Sequence, residues 1–126
     1  MKEIIYTSEA PEPLGPYSQA VKVGNLIFLS GQIPINPKTG EVITGTIEEQ
    51  TRLVLNNIRA VLEEANSSLD NLLKLTIYLD NLNEFTNVNS VFNDYFQEKY
   101  PARETVEVSC LPKNVGIEIS AIAISP

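Results

Sequence analysis

An α+β sandwich, one sheet carrying two helices on a single face, is the fold predicted by three features of the sequence. The run Thr46-Ile47-Glu48-Glu49 has the capping-box pattern, with Thr46 at the cap and Glu49 reaching back, and it opens a segment that places Ile47, Val54, Ile58, Val61, Leu62 and Ala65 on one stripe. A second amphipathic segment from Glu84 to Lys99 stripes Phe85, Val88, Phe92, Tyr95 and Phe96. Between and around these lie apolar, β-branched runs of strand length separated by Gly, Pro and Asn. Two helices with one apolar face each need a common sheet surface to cover, which puts both on the same side.

The elements follow in order. Pro11, Pro13 and Pro16 hold the opening in an extended loop, because each proline fixes its own φ and biases its predecessor away from helix. Gln19 to Val23 and Leu26 to Ser30 flank Gly24-Asn25, a two-residue hairpin signal. Residues 31 to 45, with Pro34, Pro37, Gly40 and Gly45, read as a surface loop before the first helix. Leu72 to Leu79 is apolar enough for a central strand, and Tyr100-Pro101 ends the second helix. Two last strands, Pro101 to Val108 and Gly116 onward, are joined by a short Pro/Asn/Gly connection, and pairing them would make Arg103 and Glu118 cross-strand neighbours. In the final strand Ile117, Ile119, Ala121 and Ala123 occupy one face, while Ile122 and Ile124 share the other with Glu118 and Ser120. Apolar residues on both faces predict that the side away from the helices is also covered, most economically by another copy of the chain.

Composition narrows the chemistry. The 126 residues form a single domain, 1-126, and 43% hydrophobic with 20% charged residues is the balance of a globular protein. No long apolar stretch opens the chain, so a cytoplasmic location is expected. A net charge of −7 repels nucleic acid and anionic membrane alike, and no Lys/Arg cluster opposes it. There is no histidine and only one cysteine, Cys110, which reads as a packing residue. That removes Ser-His and Cys-His nucleophile pairs and the commonest metal ligand. Carboxylate, hydroxyl, guanidinium, backbone and water remain to do the work.

Among these groups Arg103 and Glu118 stand out. Arginine grips a planar carboxylate through two parallel hydrogen bonds, with a structural ion pair to Glu107 as the competing role. A carboxylate such as Glu118 in an otherwise apolar strand must either pair or work. Asn89 lies about 40° from Phe85 around the helix, at the edge of the buried stripe, where it needs hydrogen-bond partners.

With Gly15-Pro16-Tyr17-Ser18-Gln19-Ala20, Ser30-Gly31-Gln32-Ile33-Pro34 and Pro101-Ala102-Arg103, followed by Gly116-Ile117-Glu118-Ile119-Ser120-Ala121, the chain resembles the RidA/YjgF/UK114 family of small 2-iminoacid deaminases from about residue 14 to residue 124. The resemblance implies a six-stranded mixed sheet with two helices on one face, assembled as a chorismate-mutase-like homotrimer with clefts at the subunit boundaries. It implies hydrolysis of reactive 2-iminoacids and their enamines, 2-aminoacrylate and 2-aminocrotonate, to 2-oxoacids and ammonia, with no cofactor and no metal. Arg103 then binds the substrate carboxylate and Glu118 positions water. Tyr17, Ser30 and Gly31 line the pocket; strand alternation points Thr105 the same way as Arg103 and so into that pocket, and Asn89, at the edge of the helical stripe, is placed to brace it from behind. Two positions depart from the family pattern. Glu104 stands where a small residue is usual, and Thr105 where cysteine is frequent. The alternative is a noncatalytic trimeric sensor that binds 2-oxoacids and regulates a partner. Ribonuclease activity, also described for such proteins, sits poorly with an acidic chain that has no histidine.

Overall fold

The computed structural model describes residues 1–126. It is α+β, with strands β1 (Glu3–Ile5), β2 (Ala20–Val23), β3 (Leu26–Gln32), β4 (Leu72–Leu79), β5 (Ala102–Glu107) and β6 (Ile117–Ile124), and helices α1 (Ile47–Glu64) and α2 (Phe85–Tyr95). The sheet order is β1-β2-β3-β6-β4-β5, and every pairing is antiparallel except β4 with β5.

Local sequence explains most of this. The capping box forms, with Thr46 Oγ1 accepting from the Glu49 amide at 3.2 Å while the Thr46 amide donates to Glu49 Oε1 at 3.4 Å. Such a cap is worth about 1 kcal/mol. The apolar stripe of α1 is buried along its length. The β2–β3 hairpin turns at Gly24, whose φ of +59° lies in the left-handed region that glycine enters without strain. Helix α2 stops at Tyr95, four residues before the expected Lys99, because Phe96 leaves helical geometry (φ −127°) to sink into the core, where it is 2% exposed. The helices share that core with Ile27 and Leu29 of β3, Leu75, Ile77 and Leu79 of β4, and the Ile117, Ile119, Ala121, Ala123 face of β6.

Four expectations need correction. The last two strands do not form a hairpin. β5 instead lies parallel to β4 at the sheet edge, with Arg103 opposite Leu75, and β6 inserts between β3 and β4, with Glu118 opposite Tyr78. Helix α2 is the crossover that parallel pairing of β4 and β5 requires. The segment after β5 is no tight turn: Leu111 and Val115 are buried in a second small cluster with Ile33 and Ile35, and left-handed Lys113 and Asn114 turn the chain between them. The same cluster shows that residues 31 to 45 are not wholly a surface loop. The buried Asn57 side chain donates to the Ile35 carbonyl at 2.9 Å, tying that loop to α1. Cys110 is exposed rather than packed. A sixth strand, Glu3–Ile5, adds to the five that residue patterns identified; three residues are too few for alternation to reveal.

The sheet face turned away from the helices carries Ile4, Val23, Phe28 and Val106, all exposed, beside half-buried Ile122 and Ile124.

Candidate functional site

Arg103, the second residue of β5, lies on the helix side of the sheet, half-buried against α2. Three residues of that helix hold it. Phe85, Asn89 and Phe92 are spaced by four and three positions, so they share one face. The guanidinium donates to Asn89 Oδ1, and its carbon lies 5.3 Å from the Phe85 ring centre and 5.0 Å from that of Phe92. These are cation–π distances. Burial pushes the guanidinium pKa down, although arginine stays charged at any physiological pH. No carboxylate pairs with it. The ion pairs of the chain are Arg52–Asp94 and Lys74–Glu104, and Glu107, the expected rival partner, accepts from the Leu82 amide instead. A cavity of about 390 Å³ opens beside the guanidinium, lined also by Asn89, Phe92, Asn93, Tyr100 and Pro101.

Glu118 occupies the other face of the sheet. The β3–β6 ladder shifts register between Leu29 and Gln32, a bulge that redirects Ser30 and Gly31. Glu118 lies directly over Gly31: a Cβ placed on that glycine would stand 1.9 Å from Glu118 Oε2. Only glycine admits the carboxylate here. Ser30 Oγ donates to the Ser18 carbonyl at 2.7 Å and the Ser30 amide to Gln19 O at 3.0 Å, fastening the bulge to the loop that carries Tyr17. The Tyr17 hydroxyl accepts from the Leu14 amide at 3.0 Å, leaving its own proton free to donate outward. These residues, with Leu14, Pro16, Ile33 and Pro112, surround a cavity of about 460 Å³.

The candidate residues thus fall into two groups. Arg103 and Asn89 share one cavity; Tyr17, Ser30, Gly31 and Glu118 share the other. Arg103 and Glu118 are not neighbours: β4 runs between their strands, and their side chains leave opposite faces of the sheet. Thr105 points the same way as Arg103, but its hydroxyl is enclosed, lacks a hydrogen-bond partner and lines neither cavity. Gln19, a motif and strand residue by sequence, also braces the site. Buried between Pro-rich loop and β2, it accepts from the Thr7 amide at 2.8 Å and donates to the Thr7 and Pro11 carbonyls at 3.0 and 2.9 Å, fixing the Tyr17 loop. No local pattern signals such a role.

Desolvation raises the Glu118 pKa above the ordinary glutamate value. The unfolded chain therefore ionises first as pH rises, and Glu118 contributes most favourably to folding below its unfolded pKa and loses that contribution as pH climbs through the raised one. Glu118→Gln removes this titration. Its stability relative to the parent is expected to rise from acidic pH toward neutrality, measurable as thermal midpoints across that window; a difference independent of pH would contradict the desolvated carboxylate.

Comparison with known proteins identifies the family. The family model described as "Endoribonuclease L-PSP" matches residues 7–125. A RutC family protein of Pyrococcus abyssi is 58% identical over 122 residues, covering 97% of this chain and 96% of the relative. A 2-iminobutanoate/2-iminopropanoate deaminase of Dermatophagoides farinae is 44% identical over 123 residues, covering 98% and 96%. The crystal structure of RidA from an Antarctic Psychrobacter superposes with a TM-score of 0.94 at 41% identity, covering 97% and 98% of the two chains. With a family match over nearly its whole length and relatives this similar, the chain belongs to the RidA/YjgF/UK114 family.

Proposed function

We propose that this protein is a cytoplasmic deaminase that hydrolyses 2-iminoacids and their enamine tautomers, such as 2-aminoacrylate and 2-aminocrotonate, to 2-oxoacids and ammonia. The observation that carries the reading is Arg103: a half-buried guanidinium with an amide and two aromatic rings around it and no carboxylate partner. A desolvated cation held open in this way is matched by a small planar carboxylate. The mite deaminase supports the same reading.

Because Arg103 and Glu118 leave opposite faces of one sheet, one chain supplies half a site. In a homotrimer, with the apolar sheet faces turned inward, the Arg103 cavity of one copy meets the Glu118 cavity of the next. The substrate carboxylate binds Arg103, and Asn89 fixes the guanidinium plane. Glu118 holds a water and takes its proton as the oxygen adds to the C=N carbon. Glu118 returns that proton to nitrogen, giving a neutral carbinolamine; it then relays the hydroxyl proton to the amine, so that the C=O bond forms as the C–N bond breaks, ammonia leaves and a 2-oxoacid remains. The raised pKa of Glu118 suits it to carry a proton in both directions. Positioning supplies most of the acceleration, as no stronger base is required for water to add to an imine held in place. Tyr17, with its hydroxyl proton free, and the Ser30-Gly31 bulge shape the water side. Thr105 continues the Arg103 strand toward the boundary. Neither cofactor nor metal enters these steps.

The test is to supply 2-aminocrotonate from a threonine dehydratase and follow 2-oxobutyrate. Faster release on adding the protein is expected. Binding of 2-oxobutyrate without any acceleration would establish a metabolite sensor instead.

A further inference from the structure

The cavity beside Arg103 extends beyond what the carboxylate needs. Arg103 and Asn89 account for the acid group, leaving Phe92, Asn93, Tyr100 and Pro101 as the walls that this half of the site offers to the rest of the substrate. Phe92 is fixed in the core at 6% exposure, and proline is rigid. Tyr100 differs from both. It is 64% exposed, and its hydroxyl has no hydrogen-bond partner. The segment carrying it, residues 97 to 101, makes no backbone hydrogen bond, and Lys99 within it is left-handed at φ 56°. Anchors bracket it on both sides: Phe96 is buried in the core and Arg103 sits in the β4–β5 ladder. A short strap, pinned at its ends and unbonded between them, is where local opening costs least. A large aromatic ring exposed to water on such a strap gains by covering apolar surface.

We propose that Tyr100 is the residue that sets the side-chain size of the substrate, its ring closing over the Arg103 cavity so that short 2-iminoacids are covered and long or branched ones are obstructed. This deepens the deaminase reading and rests on Arg103 as the carboxylate site. The ring, rather than the hydroxyl, does the selecting, since that hydroxyl has no partner.

The experiment compares the full-length parent with Tyr100→Ala and Tyr100→Phe. Imines are generated by an amino-acid oxidase from alanine, leucine and phenylalanine, and affinity for pyruvate, 4-methyl-2-oxopentanoate and phenylpyruvate is measured by calorimetry. Tyr100→Ala is expected to shift the ratio of large to small substrates by about tenfold or more toward the large ones, in kcat/KM and in 2-oxoacid affinity, while Tyr100→Phe keeps the parent ratio. An unchanged ratio in Tyr100→Ala overturns the gate and leaves the deaminase reading standing. A shifted affinity ratio in a protein that accelerates no imine overturns the deaminase reading and keeps the gate. A parent that binds no 2-oxoacid overturns both, and loss of selectivity in Tyr100→Phe overturns the assignment to the ring.

Discussion

Arg103→Ala is expected to abolish most deamination while leaving the fold intact. The guanidinium forms no ion pair inside the chain, so its removal strands no buried carboxylate. What is lost is the grip on the substrate. Removing one partner of a buried charge pair costs roughly 2 to 5 kcal/mol, a fall in kcat/KM of about thirtyfold to several thousandfold. Arg103→Lys is expected to recover little of it. A lysine ammonium cannot present the planar fork, and it would leave the Asn89 amide and the Phe85 and Phe92 rings facing a smaller, more strongly hydrated cation. Circular dichroism and thermal unfolding separate this result from unfolding. A variant that keeps parental kcat/KM would move the carboxylate site elsewhere.

The second large effect comes from the contact between Gly31 and Glu118. A methyl group on residue 31 would lie 1.9 Å from Glu118 Oε2 and 2.8 Å from its carboxyl carbon. The obstructing atoms are the far end of a side chain, which can swing away, so Gly31→Ala is expected to fold with little loss of stability and yet displace the carboxylate. Glu118→Gln makes the complementary change, leaving shape in place and removing the proton acceptor. Both variants are expected to lose turnover by about two orders of magnitude or more, the usual share of a general base. Glu118→Gln should still bind 2-oxobutyrate near parental affinity, whereas Gly31→Ala should bind it less well because the carboxylate now occupies part of the 460 Å³ cavity. Paired calorimetry and rate measurements read this out. Full turnover in Glu118→Gln would remove the water-positioning role.

Elements governed by nearest neighbours were legible in the sequence. The capping box at Thr46 and Glu49, the hairpin at Gly24-Asn25 and the Leu72–Leu79 strand each depend on residues a few positions apart, and each stands where periodicity and turn chemistry place it. Strand order was not legible in the same way. Whether β5 pairs with β6 or with β4 depends on where α2 and the buried Leu111 and Val115 direct the chain, and a Pro/Asn/Gly connection looks the same in either case. That one misreading placed Arg103 beside Glu118. The candidate residues were recognisable as types, but their division between two sheet faces required the topology. The stop of α2 at Tyr95 and the span of Gln19 from Thr7 to Pro11 are likewise tertiary, set by core burial and by a loop with no regular period.

The central claim is that one active site takes Arg103 from one copy and Glu118 from the next, and mixed trimers test it directly. Arg103→Ala and Glu118→Gln chains, each inactive alone, are denatured together in equal amounts and refolded, and 2-aminocrotonate hydrolysis is measured. In a cyclic trimer every mixed assembly contains one boundary where an intact Arg103 meets an intact Glu118, so random mixing restores about a quarter of the parental activity. If both residues served a site within a single chain, every site would carry one defect and the mixture would stay as inactive as its parts.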